Sequence, residues 1–252
     1  MEHMFISTNT IPMEKELLTI IIRTKLEDMN IWVITIVIMV ASLIIQQTLN
    51  SKFNKYSKVP TSNGMTGAQV AEKMLHEHGI YDVKVTATRG MLTDHYNPVT
   101  KTVNLSEGVY ASRSVAAAAV AAHECGHAVQ HAMGYAPLKM RSALVPVVNI
   151  ASSLVTWVIL AGILMLQTFP ALLWFGIALF STTTLFSFIT LPVEVNASTR
   201  AISWLSNAGV TDYQTRPMAI DALKWAAYTY VIAALGSLAT LLYYIGIARG
   251  RD

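Results

Sequence analysis

Four long apolar segments decide most of what this chain can fold into: residues 31–49, 143–166, 171–191 and about 226–247. Each is close to the roughly 20 apolar residues that an α-helix needs to cross a membrane. Hydrophobic residues make up 53% of the 252-residue chain and charged residues only 13%, and the mean hydropathy is +0.45. This composition excludes an ordinary soluble domain. The sequence therefore predicts an integral membrane protein of mostly α class with four transmembrane helices.

The segments outside the spans are polar and differ in their predicted structure. Residues 1–30 carry charges around a short apolar run, so they predict an amphipathic interfacial helix and not a cleavable signal peptide. Residues 167–170 are so few that the second and third spans are expected to form a tight antiparallel hairpin. Residues 192–225 predict a polar helical segment between the third and fourth spans.

Residues 50–142 predict a small α+β unit. Thr66 and Gln69 form a capping box, and the helix that it opens is expected to run to His78, with Gly79 as its stop. Alternating apolar residues and turn signals predict three short strands, at residues 82–88, 92–96 and 102–106.

A motif of two histidines and a glutamate stands near the end of this unit. His123, Glu124 and His127 follow an alanine-rich run that favours a helix, with Ser112 or Ser114 as its N-cap. One helical turn separates the two histidines, so both rings leave the same face and can reach one metal ion. Glu124 projects beside that ion, where a carboxylate can take a proton from activated water. This is the H-E-x-x-H arrangement of zinc hydrolases.

The alternative is a buried alanine-rich helix whose histidines are merely hydrogen-bonded in a core. That structure needs other buried partners for two histidines and a glutamate. Gly126 also argues against it, because a glycine inside a helix costs about 1 kcal/mol relative to alanine and is usually kept for close packing. We therefore expect another element to press against the back of this helix. The single cysteine, Cys125, excludes an internal disulfide and a cysteine-rich zinc site, and we interpret it as a small apolar spacer.

A catalytic zinc site generally takes three protein ligands, and the motif supplies two. His131 continues the same helical face, but it lies about 12 Å along the axis from His123, too far to bind the same ion. The roles that remain for His131 are support of the ligands, contact with the substrate, or simply a position on a polar surface. Of the acidic residues after the motif, Asp221 has Lys224 as a surface partner, and the C-terminal residue falls on the other side of the membrane. Glu194, at the end of the third span, where an ionisable group needs a partner, is the best third ligand.

The lysines and arginines near the spans predict the orientation in the membrane. Eight of them lie in or beside residues 50–142 and 192–225, against four on the other side. The positive-inside rule therefore places these two regions in the cytoplasm, with both termini and the 167–170 loop outside. The motif and Glu194 then lie on one face of the membrane. Because these charges flank spans and form no patch with exposed aromatic residues, nucleic-acid binding is not expected.

Several stretches of the chain together carry a family resemblance. They are FNKYSKVP (53–60), LTDHYNP (92–98), VNLSE (103–107), RSVA (113–116), the motif region 123–131, GYAP (134–137), RSALVP (141–146) and LPVE (191–194). On these stretches, which span nearly everything after residue 50, the sequence resembles the membrane-bound neutral zinc metallopeptidases of the YugP type. They share patterns with the HtpX-like and the prenyl-protein-processing membrane peptidases.

The resemblance implies zinc bound by His123, His127 and Glu194, with Glu124 as the catalytic acid and base. One departure is visible. The HtpX-like pattern places an aspartate four residues after the ligand glutamate, where this chain has Ser198. A hydroxyl can still hydrogen-bond, but weaker support of the ligand is expected to lower zinc affinity or activity.

The sequence thus predicts a multi-pass membrane zinc endopeptidase with a zincin-like α+β unit, whose partners are a peptide or membrane-protein substrate and membrane lipid. The strand at residues 102–106, just before the motif helix, is a candidate edge to which a substrate peptide adds as another strand. His95, Tyr96, His131 and Arg200 are the candidate donors to the oxyanion of the transition state.

Two other classes of function compete with this prediction. The first is a catalytically idle zinc-binding scaffold or chaperone, against which the retention of Glu124 argues, because a structural site needs no base. The second is a zinc sensor or transporter, but the spans lack the buried pairs of histidines and carboxylates that a metal path requires.

Overall fold

Seven helices and three strands form the described part of the chain, residues 31–90 and 93–250, in this computed structural model. In chain order they are α1 (Ile31–Tyr56), α2 (Gly67–Glu77), β1 (Lys84–Thr88), β2 (His95–Asn97), β3 (Thr102–Ser106), α3 (Glu107–Tyr110), α4 (Val115–Ala132), α5 (Ala136–Leu164), α6 (Pro170–Asn207) and α7 (Arg216–Ala248). The interfacial helix predicted at residues 1–30 lies outside the described residues.

The four longest helices are the membrane-spanning ones. Helices α1, α5, α6 and α7 are each long and apolar enough to cross a bilayer. Large apolar side chains such as Val37, Leu43 and Trp157 are exposed on their outer faces, where lipid chains would cover them. The prediction of a mostly α membrane protein with a small α+β unit is confirmed.

Each of these helices is longer than the apolar segment that it contains. Helix α5 begins at Ala136, seven residues before the predicted span, and α6 runs for 38 residues, through Pro192 to Asn207. Hydropathy shows where a helix leaves the membrane interior, but the helical hydrogen bonds continue into the polar part of the chain. The third span and the polar segment after it are therefore one helix, which carries Glu194.

Close backbone contacts fix how the helices pack. A Cβ atom on Gly162 of α5 would lie 2.6 Å from Leu173 Cα of α6, so the two helices touch beside the loop that joins them. A Cβ atom on Gly126 of α4 would lie 2.7 Å from the carbonyl oxygen of Ala197 in α6. The predicted close packing behind the motif helix is confirmed, and α6 is the element that provides it.

The caps of the shorter helices agree with the sequence analysis. The Thr66 hydroxyl accepts a hydrogen bond from the backbone N–H of Gln69, and the Gln69 side chain accepts one from the N–H of Thr66. Ser114 caps α4 by accepting a hydrogen bond from the N–H of Ala117, so Ser114 and not Ser112 is its N-cap.

The strand order of the sheet is β1-β3-β2, with β1 parallel and β2 antiparallel to β3. Strand β3 is therefore central and paired on both sides, and the prediction that residues 102–106 form an edge for a substrate is wrong. Strand β2 pairs with one side of β3 and strand β1 with the other. The two edge strands of this sheet are β1 and β2.

Candidate metal centre and cleft

Two elements bring three potential metal ligands together. His123 and His127 extend from α4 and Glu194 from α6, and their ligand atoms all lie within 4.8 Å of one another. Oε2 of Glu194 is 3.2 Å from Nε2 of His123 and 3.5 Å from Nε2 of His127. Among the described residues this is the one such group of histidine, cysteine and acidic side chains. These are the three residues that the sequence analysis selected.

The contact between Gly126 and Ala197 explains the convergence. It brings the axes of α4 and α6 together one residue before His127 and three residues after Glu194. The site is largely closed to solvent, with Glu194 only 2% exposed.

Each imidazole has a hydrogen-bond partner on its other nitrogen. Nδ1 of His123 lies 3.1 Å from the hydroxyl of Ser198, and Nδ1 of His127 lies 3.0 Å from Oε1 of Gln130. Such partners hold a ring so that Nε2 faces the ion. The hydroxyl of Ser198 therefore makes the hydrogen bond expected of it, to His123. Gln130 was missed by the sequence analysis, although its place three residues after His127 was an available signal.

The electrostatics of the site couple metal binding to a proton on His127. Burial lowers the pKa of His127, but the carboxylates of Glu194 and Glu124 more than offset this and leave that pKa raised above its usual value. Because an imidazole must be neutral to bind a metal, an ion at this place exchanges with a proton.

Glu124 lies beside the three donors and is not one of them. Its Oε2 accepts a hydrogen bond of 3.0 Å from the backbone N–H of Tyr96 in β2. Strand β2 therefore holds this carboxylate towards the cleft in which the donors lie.

Arg141 also touches the group, a contact that its charge near a span does not predict. From the second turn of α5, its Nη1 donates to Oε1 of Glu194 at 3.1 Å. The two oxygens of this carboxylate therefore have different neighbours: the histidines on one side and a guanidinium on the other.

A cleft of about 820 Å³ opens over the group. One wall comes from β2 and the residues around it, and the opposite wall comes from the start of α5, with Leu138, Arg141 and Val145. Tyr230 of α7, which the sequence analysis did not single out, also lines it. The cleft thus lies between the α+β unit and the membrane helices.

The candidate oxyanion donors separate into two sets. His95, Tyr96 and His131 line the cleft, and the Tyr96 hydroxyl lies 2.8 Å from Nδ1 of His131. Arg200 is engaged elsewhere, with its Nε bonded to Oδ1 of Asn196 at 2.8 Å, and it is not among the cleft residues.

Asp221, the competing acidic residue, lies apart from this group. Its Oδ2 accepts hydrogen bonds from Lys52 at 2.7 Å and from the Tyr56 hydroxyl at 2.5 Å. The predicted pair with Lys224 is wrong, because that amine lies over the ring of Tyr228, 5.7 Å from its centroid. The partners come from α1, which packs along α7, and local spacing could not show them.

Four membrane-spanning helices and a buried group of two imidazoles and one carboxylate define a membrane protein with the donor set of a zinc peptidase. Residues 31–249 match the model of the family described as "Putative neutral zinc metallopeptidase", and the chain belongs to this family. It is similar to "Putative membrane protease YugP" of Bacillus subtilis (strain 168), at 45% identity over 208 residues, which cover 82% of this chain and 92% of the relative. No solved structure matches the chain.

These comparisons confirm the family resemblance and support a protease role for a membrane protein. They also identify Zn²⁺ as the cofactor that the family implies. Two imidazole nitrogens and one carboxylate oxygen are ligands that zinc prefers, and three protein ligands leave the fourth position that a catalytic site needs. The residues present therefore fit the ion.

Proposed function

We propose that this protein is an integral-membrane zinc endopeptidase in which His123, His127 and Glu194 hold the ion and Glu124 is the general base and acid. The observation that carries the proposal is the position of Glu124. Its carboxylate shares the cleft with three converging donors, and the N–H of Tyr96 orients it. A purely structural metal site has no use for such a group.

The chain's own residues account for the proton transfers. Zinc, when bound, lowers the pKa of water towards neutrality and polarises the scissile carbonyl. Glu124 accepts a proton from the attacking water and passes it to the leaving amine. Because the N–H of Tyr96 engages Oε2 of Glu124, the other carboxylate oxygen is left to take the proton.

Donors in the cleft stabilise the charge that develops on the substrate carbonyl. We assign this role to the pair of Tyr96 and His131, with Tyr230 as the further donor on the membrane side. Burial raises the pKa of Tyr96, so its hydroxyl stays protonated and can donate.

The substrate is expected to add to β2. The N–H of Tyr96 points to Glu124, away from β3, so Glu124 stands at the free edge of this strand. An extended peptide laid along that edge passes the general base and the metal ligands. This placement replaces the one on β3 that the strand order excludes.

The position of the cleft indicates substrates that are themselves in the membrane. Its wall includes Val145, which is 38% exposed, one turn beyond Arg141 inside the second predicted span. Tyr230 lies similarly just inside the fourth predicted span. A peptide bond next to the membrane surface, in a segment that leaves a transmembrane helix, is therefore the one that the cleft receives most directly.

Zinc-dependent proteolysis tests this function. Purified full-length protein in detergent micelles should cleave an unfolded membrane protein, lose the activity on chelation and regain it with Zn²⁺. The rival function, an idle zinc-binding scaffold or chaperone, predicts one bound zinc per chain with no cleavage under any of these conditions.

We further propose that the cleft faces the cytoplasm, on the basis of the lysine and arginine distribution. In a Cys125→Ala background, an impermeant thiol reagent added to intact cells should label Gln167→Cys, in the loop between α5 and α6, and miss Tyr213→Cys, which is 95% exposed between α6 and α7. Both cysteines should react after the membrane is opened. Labelling of the second site alone in intact cells would place the cleft outside.

A further inference from the structure

Gln130 is a fully buried amide that links the two helices of the metal centre. Its Oε1 lies 3.0 Å from Nδ1 of His127, one turn earlier on α4. Its Nε2 donates to the carbonyl oxygen of Val193 at 2.8 Å and to Oδ1 of Asn196 at 3.0 Å, both on α6. Both ends of the amide are therefore used, one on each helix.

The backbone of α6 decides which way this amide points. A carbonyl oxygen such as that of Val193 can only accept, so the NH₂ group of Gln130 must face it and Oε1 must face His127. An amide oxygen can only accept as well, so Nδ1 of His127 must carry a hydrogen. The neutral imidazole then has its lone pair on Nε2, the nitrogen that faces Glu194.

We propose that Gln130 is a positioning residue of the metal centre, which fixes the tautomer of His127 and its placement relative to Glu194. Val193 is the residue immediately before Glu194, so the bond from Gln130 joins the α4 ligands to α6 directly beside the third ligand. Ser198 makes the corresponding link at the other histidine, because it lies on α6 and its hydroxyl contacts Nδ1 of His123. The inference rests on the ligand set proposed above but not on catalysis, and it applies equally to an idle zinc-binding protein.

The amide of Gln130 constrains the neutral ring of His127 to carry its hydrogen on Nδ1. Apolar replacement of Gln130 removes this constraint and leaves Nδ1 without its acceptor in a closed site.

Zinc affinity of the full-length protein in micelles, measured by competition with a chelator, is the first readout. Gln130→Met should raise the zinc dissociation constant about 10- to 100-fold. Gln130→Glu keeps an acceptor for Nδ1 but loses the donors to Val193 and Asn196, so its loss of zinc affinity should be smaller than that of Gln130→Met. Thr190→Val is the matched control, because its buried hydroxyl, one turn before Glu194, donates to Phe186 of its own helix, and this change should leave zinc affinity unaltered.

A second readout separates positioning from a general packing role. In ¹⁵N-histidine spectra of the zinc-free parent at high pH, His127 should be protonated on Nδ1, and this preference should weaken in Gln130→Met. Equal losses of affinity in the Met and Glu variants, or parental affinity in both, would overturn the proposal. If the Met variant does not fold, protonation of His127 on Nε2 in the parent would overturn it. His127→Ala tests the ligand set in the same series. If this variant keeps zinc, the proposed ligand set is wrong. If it loses zinc while Gln130→Met has the parental zinc affinity, only the present inference is wrong.

Discussion

Replacement of Glu124 by glutamine is expected to lower kcat for peptide cleavage by about 10² to 10⁴-fold while zinc stays bound. The amide keeps the shape of the side chain and an oxygen that can accept the N–H of Tyr96, so the local fold is retained. It lacks the basicity to take a proton from water. Proteolysis and zinc content measured on the same preparation check this result.

Two further variants serve as controls for the Glu124 experiment. Glu72→Gln, on the exposed surface of α2, removes the same charge away from the cleft and should change neither quantity. His123→Ala should lose zinc and activity together, because it removes a proposed ligand. Full activity of Glu124→Gln with zinc bound would contradict the assignment of this residue as the base.

Gly126→Ala is expected to weaken zinc binding without altering any proposed ligand. The added methyl group would lie 2.7 Å from the carbonyl oxygen of Ala197 and 3.1 Å from its Cα, both backbone atoms of a long helix that cannot turn aside. Overpacking of this kind costs about 1 to 3 kcal/mol, against about 1 kcal/mol gained in helix propensity. We therefore expect a lower Tm and a displacement of the two histidines from Glu194, measured by thermal unfolding and by zinc competition.

Gly108→Ala is the matched control for this prediction. It is also a helical glycine of the α+β unit, but a Cβ atom there meets nothing within 4 Å. The same substitution should leave Tm and zinc affinity close to those of the parent. Parental zinc affinity in Gly126→Ala would show that the approach of α4 to α6 does not hold the site together.

Features that depend on local spacing were the ones that the sequence predicted well. The capping box at Thr66 and the motif helix follow from residues within one or two turns of each other. The glycine inside that helix, Gly126, indicated a close contact, and the structure supplies the partner, Ala197. Glu194 was selected 67 residues beyond His127 because few acidic residues follow the motif and because it stands at the end of a span. The structure brings this residue to the two histidines.

Features that depend on contacts between distant segments were missed or wrong. Which strands lie at the edges depends on the order in which the strands pair, which residue alternation does not reveal, so alternation alone wrongly suggests β3 as an edge strand. The partners of Asp221 come from α1, and Arg141 reaches Glu194 from a third helix. Gln130 was missed for a related reason. Its contact with His127 is local, but the orientation of its amide depends on the bond to Val193 of α6.

A structure of the zinc-loaded protein tests the central claim most directly. Nε2 of His123 and of His127 should lie about 2.0 to 2.1 Å from the ion, and one carboxylate oxygen of Glu194 about 2.0 to 2.2 Å from it. Glu124 should remain outside the ligand set. A structure in which Glu194 turns away from the ion and Asp221 or His131 takes its place would contradict this account of the site.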